Sequence, residues 1–344
     1  MSKGRLGAPP PGEGPSSFRT LLCVLDWGLG HASRSLALAG ELEAAGDKVF
    51  FASCGSALRF LEKERPGTPV YELPAYGVSY PTENMPLNVA LQAPRWLRTV
   101  WRERRQTARL VRTLGIDRII SDSRFGCYVP GVPSILLTHQ LHPIFNFAPL
   151  SGLYTRYLQR FSEFWVPDSA DQRLSGRLSD ACGYEKVRYI GPLSRLHFPS
   201  TPPPKTWRTF SLLSGPEPMR TRLEAILLGQ LASLPGPHLL VRGIPTADRV
   251  RSTANVTIHD FANRAFLEQH LPAAEFIICR PGYSTLLDLD RLPGRQCIFI
   301  PTPGQTEQEF LARTQVQRGD AIAAFAQSAV DLASVVGYTP PFGA

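Results

Sequence analysis

The sequence predicts an α/β protein built from two doubly wound, Rossmann-like halves. Three observations carry that expectation. Short continuous apolar runs such as "LLCVL" (21–25) alternate with helix-periodic stretches along most of the chain, the pattern of parallel strands buried on both faces and joined by helices. The stretch "PSTPPPKT" (199–206) interrupts that alternation, since successive prolines continue neither a helix nor a central strand. A length of 344 residues accommodates roughly two domains, each with its own core.

Residues 1–17, "MSKGRLGAPPPGEGPSS", lack the apolar segment of a signal peptide and read as a disordered leader. The first half, 18–198, opens with the strand "LLCVL" and a helix in which Leu36, Ala39, Leu42 and Ala45 recur at helical spacing before Gly46. "KVFFAS" reads as a strand, "SALRFLEKE" as a helix, 74–94 as a loop rich in Pro, Gly and Asn, and 94–114 as a long helix. The strands "DRIISD", "PSILLTH", "EFWVPD" and "VRYIG" complete this half. After the linker at 199–206, a second set fills 207–330: "TFSLLSG", a helix near 218–233, "HLLVRG", "VTIHDF", a helix near 263–270, "FIICR", a helix near 283–290, and "QCIFIP". Residues 331–344 form a tail. Two such halves make the cleft between them the expected binding site.

The six cysteines form no CxxC pair and several lie in strand-like runs, which suggests buried reduced thiols and a cytoplasmic setting. No stretch approaches the ~18 apolar residues of a membrane span. The formal charge of +8, from 37 basic and 29 acidic side chains, favours an anionic partner. No recognition motif accompanies the charge, so nucleic acid is not expected.

Two glycine turns carry the candidate chemistry. In "WGLGHAS", Gly28 and Gly30 lead from the first strand into the first helix and place His31 at a strand's carboxyl end, where open α/β sheets bind ligands. Ser33 stands where a dinucleotide fingerprint needs its third glycine, which argues against a nicotinamide enzyme. His31 is free to act as a base or hydrogen-bond donor. In "RPGYSTLLDLD" (280–290), Gly282 permits close approach, Ser284 and Thr285 offer hydroxyls and N–H groups at a helix start, and Arg280 adds positive charge; together they suit a diphosphate. Asp288, one helical turn on, suits a ribose diol. Asp288 and Asp290 would point about 200° apart on a helix, so no metal is expected there.

Arg280-x-Gly282-x-x-Thr285-x-x-Asp288 resembles the donor motif of GT-B nucleotide-sugar glycosyltransferases, with arginine and aspartate where many members have histidine and glutamate. "PTPGQTEQ" (301–308) follows where that family places an acidic residue and a glutamine over the sugar, here Glu307 and Gln308. The order of motifs over about 20–315 further resembles the family that adds N-acetylglucosamine to a lipid-linked muropeptide: Gly28 to His31, the loop and strand "SRFGCYVPGVPSILLTH", and Arg195 in "GPLSR". "LLSGPEPMR", carrying Ser214 and Gly215, has two prolines and one glycine where the family has a glycine-rich loop, and "THQLHP" lacks the family's acceptor-side glutamate and asparagine.

The resemblance implies a GT-B fold and an inverting glycosyltransferase without cofactor or metal. It would move a sugar such as an N-acetylhexosamine from a UDP-sugar to an acceptor that a lipid could carry. His31 is the candidate base, with Asp122 and His139 as rivals. Gly28, Gly30, Arg195, Ser214, Gly215, Arg280, Gly282, Ser284, Thr285, Asp288, Glu307 and Gln308 would hold the donor. A UDP-sugar 2-epimerase, a nucleotide-sugar hydrolase and a non-catalytic nucleotide-sugar-binding protein are alternatives on the same fold. Finally, "PRWLRTVWRERRQTARLVRT" (94–113) carries seven arginines against the single acid Glu103, with Trp96 and Trp101. Such a helix suits an anionic membrane surface or a pyrophosphate-linked acceptor, which would place the enzyme peripherally on the inner face of the cytoplasmic membrane. The competing reading is a solvated basic face on a core helix.

Overall fold

A computed structural model of the chain describes residues 17–77, 85–142, 154, 156–244, 249–253 and 255–337. Residues 1–16 of the expected leader, 78–84 of the expected loop and 338–344 of the expected tail lie outside the described residues. The chain divides into two compact units, Met1–Leu193 and Ser194–Ala344.

Among the described residues the first unit holds seven parallel strands: β1 (Arg19–Val24), β2 (Lys48–Ser53), β3 (Val70–Glu72), β4 (Arg118–Asp122), β5 (Ser134–Leu137), β6 (Glu163–Val166) and β7 (Val187–Tyr189). Helices α1 (Leu29–Ala44), α2 (Gly55–Glu64) and α3 (Met85–Leu114) accompany them. Alternate side chains of β1 take opposite faces. Leu22 and Val24 pack with Leu38 and Leu42 of α1, whereas Leu21 and Cys23 pack with Leu110, Val111 and Leu114 of α3. Burial on both faces explains why the strand reads as an unbroken apolar run. The strand order is β3-β2-β1-β4-β5-β6-β7, so the order of strand addition reverses between β1 and β4, which opens a crevice at their carboxyl ends.

Two features of this unit differ from the sequence reading. Helix α3 begins at Met85 and contains Pro94, so residues 85–93, expected as loop, are helical. Proline is favoured in a first turn and costly inside a helix, where it forgoes a backbone hydrogen bond and crowds the preceding turn, so Pro94 reads as a helix start; the structure carries it inside the helix. Strand β3 escapes the apolar-run criterion because at the sheet edge Val70 and Tyr71 are only partly buried and Glu72 is exposed.

The second unit repeats the plan with β8 (Trp207–Leu212), β9 (His238–Val241), β10 (Val250–Ser252), β11 (Val256–His259), β12 (Ala274–Cys279), β13 (Gln296–Phe299) and β14 (Ala323–Ala324). Its helices are α4 (Met219–Leu231), α5 (Arg264–His270), α6 (Tyr283–Asp290), α7 (Thr306–Gln317) and α8 (Ala333–Val336). The order is β10-β11-β9-β8-β12-β13-β14, parallel except for the β10–β11 edge pair. Leu223, Leu227 and Leu231 of α4 cover Leu240, Phe276, Ile278 and Ile298. The reversal here lies between β8 and β12, and Leu212 pairs with Cys279 at their carboxyl ends. The unit boundary falls five residues before the Pro-rich stretch. Ser194 donates its hydroxyl to Asp288 and the His197 N–H donates to Glu268, which ties that segment into the second unit. No helix among the described residues is long and apolar enough to cross a membrane.

Candidate active site

The reversal point of the first unit brings His31 and Asp122 together. Gly28 caps α1 with φ +88°, in the left-handed region that a side chain disfavours, and the helix then carries His31 in its first turn. Asp122 is the last residue of β4, paired in register with Val24 of β1. His31 Nδ1 lies 2.9 Å from Asp122 Oδ1.

Asp122 is fully buried and also accepts from Arg34 through Nε at 3.0 Å and through Nη2, and from the Ser35 hydroxyl at 2.9 Å. Burial alone would raise its pKa, but the Arg34 and His31 charges and hydrogen bonds outweigh that and hold it well below the ordinary carboxylate range. A buried carboxylate kept ionised by these donors is a poor proton acceptor for a substrate; its geometry fits a partner that orients His31. Arg34 Nη2 lies 3.0 Å from the same Nδ1, and Nδ1 serves one of these neighbours at a time: with its proton on Nδ1 the ring donates to Asp122 and Nε2 keeps its lone pair, and with the proton on Nε2 the ring accepts from Arg34. The His31 side chain is 18% exposed. His139 is 7% exposed, with Nδ1 3.5 Å from Arg34 Nη1 and Nε2 3.4 Å from the Gln140 amide, so it is the less accessible of the two imidazoles. Sequence reasoning missed Arg34 and Ser35. The signal was present: three and four positions after His31 they share its helix face, among residues otherwise destined for the core.

The second unit's reversal point gathers most of the donor candidates. Ser214 and Gly215 follow β8 and are exposed; Gly215 adopts φ +101°. Gly282 caps α6 with no side-chain hydrogen bond to that helix end. The Ser284 and Thr285 hydroxyls, both partly exposed, have no hydrogen-bond partner among the described residues. Arg280, expected to offer its positive charge to a diphosphate, is largely engaged by the protein itself. Only 1% exposed, its guanidinium donates to the carbonyls of Ile300 and Pro301, both at 2.7 Å, to that of Met219, and to the Gln327 side chain. No carboxylate is among these partners, and burial lowers its pKa to about 10.

Arg280 Nε and the Thr302 hydroxyl are buried without a partner among the described residues. Both face the Gly215 turn: a Cβ on Gly215 would sit 3.4 Å from Thr302 Oγ1 and 4.0 Å from Arg280 Nε. Buried polar atoms seldom lack partners, so this cradle fits an anionic oxygen at the strand ends. Thr302, one residue into the segment 301–308, was not singled out from sequence because an isolated threonine after a strand carries no pattern.

The remaining candidates engage the protein itself. The Gln308 carbonyl accepts from the Thr302 N–H at 2.8 Å and its amide donates to Gln305. Glu307 lies in the first turn of α7, and Gly30 lies in that of α1. Asp288 accepts from the Ser194 hydroxyl. Burial pushes its pKa up to about 6, against the Ser194 hydrogen bond and the Arg195 charge, which act the other way. Asp290 stands near Arg295 instead, at 3.6 Å.

The raised pKa of Asp288 has a measurable consequence. A folded-state value above the ordinary 3.8 makes its contribution to stability complete below about pH 4 and lost as pH rises through about 6, by at most about 3 kcal/mol. Asp288→Asn retains an acceptor for Ser194 and removes the titration. Urea denaturation from about pH 4 to 7.5 should show a decline in the native protein that the variant lacks; parallel profiles would place the carboxylate in water.

No protein-family model matches the chain, and no curated protein matches it. Solved structures do. The spinosyn rhamnosyltransferase SpnG is 18% identical, with 93% of this chain and 92% of that chain covered at a TM-score of 0.65; it is also known in complex with thymidine diphosphate. The glycosyltransferase of kitacinnamycin is 17% identical, covering 94% and 90% at 0.64. MurG of Acinetobacter baumannii is 15% identical, covering 92% and 88% at 0.56. The chain therefore has the GT-B fold of glycosyltransferases, two Rossmann-like α/β units, as its sequence motifs imply. The likeness is spread over that fold and is not concentrated on MurG.

Proposed function

We propose that this protein is an inverting glycosyltransferase that moves a sugar, an N-acetylhexosamine in our reading, from a uridine-diphosphate sugar to an acceptor hydroxyl. The observation that carries the proposal is the His31–Asp122 pair at the first unit's reversal point, a partly exposed imidazole held against a buried carboxylate: with its proton on Nδ1 it presents Nε2 as a base, which a protein that only binds a nucleotide sugar does not need. His31 Nε2 takes the acceptor proton. The acceptor oxygen bonds to the anomeric carbon as the bond from that carbon to the diphosphate oxygen breaks, and the nucleoside diphosphate leaves with the electron pair. The N-terminus of α6, Arg280 and Arg195 stabilise its charge without a metal, and Asp288 serves the ribose. The acceptor is lipid-linked in this reading, which would bring the enzyme to the cytoplasmic face of a membrane.

Calorimetric titration with UDP, thymidine diphosphate and NAD tests the donor assignment. A nucleoside diphosphate should bind and NAD should not; the reverse would sink the reading. Thr302→Val sharpens the test, because a hydroxyl without a partner contributes nothing to the fold. The variant should melt no lower than the native protein while its nucleoside diphosphate affinity falls roughly tenfold. Unchanged affinity would remove Thr302 from the site. Products formed without acceptor separate transfer from the rival chemistries: a new sugar isomer means epimerisation, and rapid free-sugar release means hydrolysis.

A further inference from the structure

We propose that the first unit carries a second anion site, specific for a phosphate or diphosphate group, in a cavity of about 330 Å³ lined by Pro74, Ala75, Arg95, Arg98, Thr99 and Arg102. The three arginines occur at i, i+3 and i+7 of α3, so they share one helix face. None has an ion-pair partner among the described residues. The one acid of this helix segment, Glu103, is fully buried and ion-paired to Arg124, so its charge is already matched, and among the described residues three like charges line one cavity without a counter-ion. A larger cavity of about 360 Å³ near Glu43 and Asp47 shows the contrast: there Arg65 pairs with Glu43 and Arg118 pairs with Asp47.

The cavity is shaped as well as charged. Gly77 adopts φ +57°, and a Cβ there would run into the Arg95 guanidinium, so that side chain is packed against the loop. The Thr99 hydroxyl is committed to the Arg95 carbonyl at 3.0 Å. Guanidinium groups offer paired N–H donors that match phosphate oxygens, and the volume lies in the range of small-ligand sites, which begins near ~300 Å³.

Its position links it to the chemistry. The Pro74–Ala75 wall follows the carboxyl end of β3, on the same edge of the sheet as His31 and Asp122. The next residue, Tyr76, stands edge-on to Trp27, with ring centroids 6.3 Å apart, and Trp27 is 48% exposed four positions before His31. A phosphate held by the arginines would leave the rest of an acceptor to run past this aromatic pair. That the phosphate belongs to the acceptor rests on the transferase proposal; the anion site itself does not.

The test is titration of inorganic pyrophosphate into the full chain with the donor site saturated by UDP. Pyrophosphate should bind, and its affinity should fall at least tenfold in the triple variant Arg95→Gln, Arg98→Gln, Arg102→Gln. A second triple variant on the same helix but outside the cavity, Arg105→Gln, Arg109→Gln, Arg112→Gln, should bind as the native protein does. Circular dichroism melts establish that both variants are folded. Absence of pyrophosphate binding, or equal losses in the two variants, overturns the site, the second result reducing it to diffuse surface charge. Failure of UDP to bind would instead overturn the donor reading and leave the pyrophosphate titration informative. Sedimentation with phosphatidylglycerol vesicles, compared with phosphatidylcholine, assigns the source of the phosphate. Sedimentation lost in the first variant and competed by pyrophosphate identifies a lipid headgroup, and pyrophosphate binding without sedimentation identifies a soluble phosphorylated compound.

Discussion

Replacing His31 with alanine is expected to lower turnover by roughly 10²–10⁴-fold, the usual worth of a positioned general base, while nucleoside diphosphate affinity stays within about twofold of native. The fold should tolerate the change. His31 is partly exposed in the first turn of α1, and Asp122 retains Arg34 and Ser35 as donors. His31→Gln, which keeps a hydrogen bond to Asp122 without a proton acceptor of comparable basicity, should be equally slow. Single-turnover assays with labelled nucleotide sugar would measure both. Turnover within threefold of native in either variant would remove His31 from the chemistry and promote His139.

The second large effect concerns stability. Glu103 and Arg124 are fully buried and ion-paired. The Glu103 carboxylate also accepts from the Tyr76 hydroxyl at 2.5 Å and the Gly126 N–H at 2.6 Å, while Arg124 donates to the carbonyls of Val24 at 3.0 Å and Pro74 at 2.5 Å. The pair fastens α3 to the loop that follows Asp122. Gly126 allows the close approach, since a Cβ there would lie 2.4 Å from the Val100 carbonyl oxygen. Glu103→Ala leaves a guanidinium buried without its counter-ion and should destabilise by about 3–5 kcal/mol. The double variant Glu103→Ala, Arg124→Met removes both charges and should recover part of that loss. Urea denaturation at constant m would measure it. A cost below about 1 kcal/mol for the single variant would mean that water reaches the pair.

The same pair shows how far sequence reading extends along α3. Seven arginines and one glutamate in a helix look like a solvated face, and nothing local tells which charge turns inward. Glu103 is buried because the loop after β4 brings Arg124 and the Gly126 N–H, and the segment after β3 brings the Tyr76 hydroxyl, to one point, three donors from parts of the chain outside the helix. Arg280 makes the converse case. Its place after a strand and before Gly282 was legible and suggested a cation open to a ligand, but carbonyls from 300, 301 and 219 enclose all of its guanidinium except Nε, an arrangement set by β13 and the start of α4.

The sequence by itself determined the fold class and the positions of both glycine turns. Strands buried on both faces leave continuous apolar runs, helices leave a 3.6-residue period, and glycine marks the backbone that must take a positive φ or accept a close neighbour. These signals are local, so one chain suffices to show them. The tertiary structure alone decided what the polar side chains at those turns do. Asp122 became the buried partner of His31 and Arg34, Thr302 was left without a partner among the described residues beside Gly215, and Arg95, Arg98 and Arg102 came to line one cavity. Hydrogen bonds and charges act over a few ångströms in space whatever the separation in sequence, and strand order, which no local pattern encodes, sets those distances.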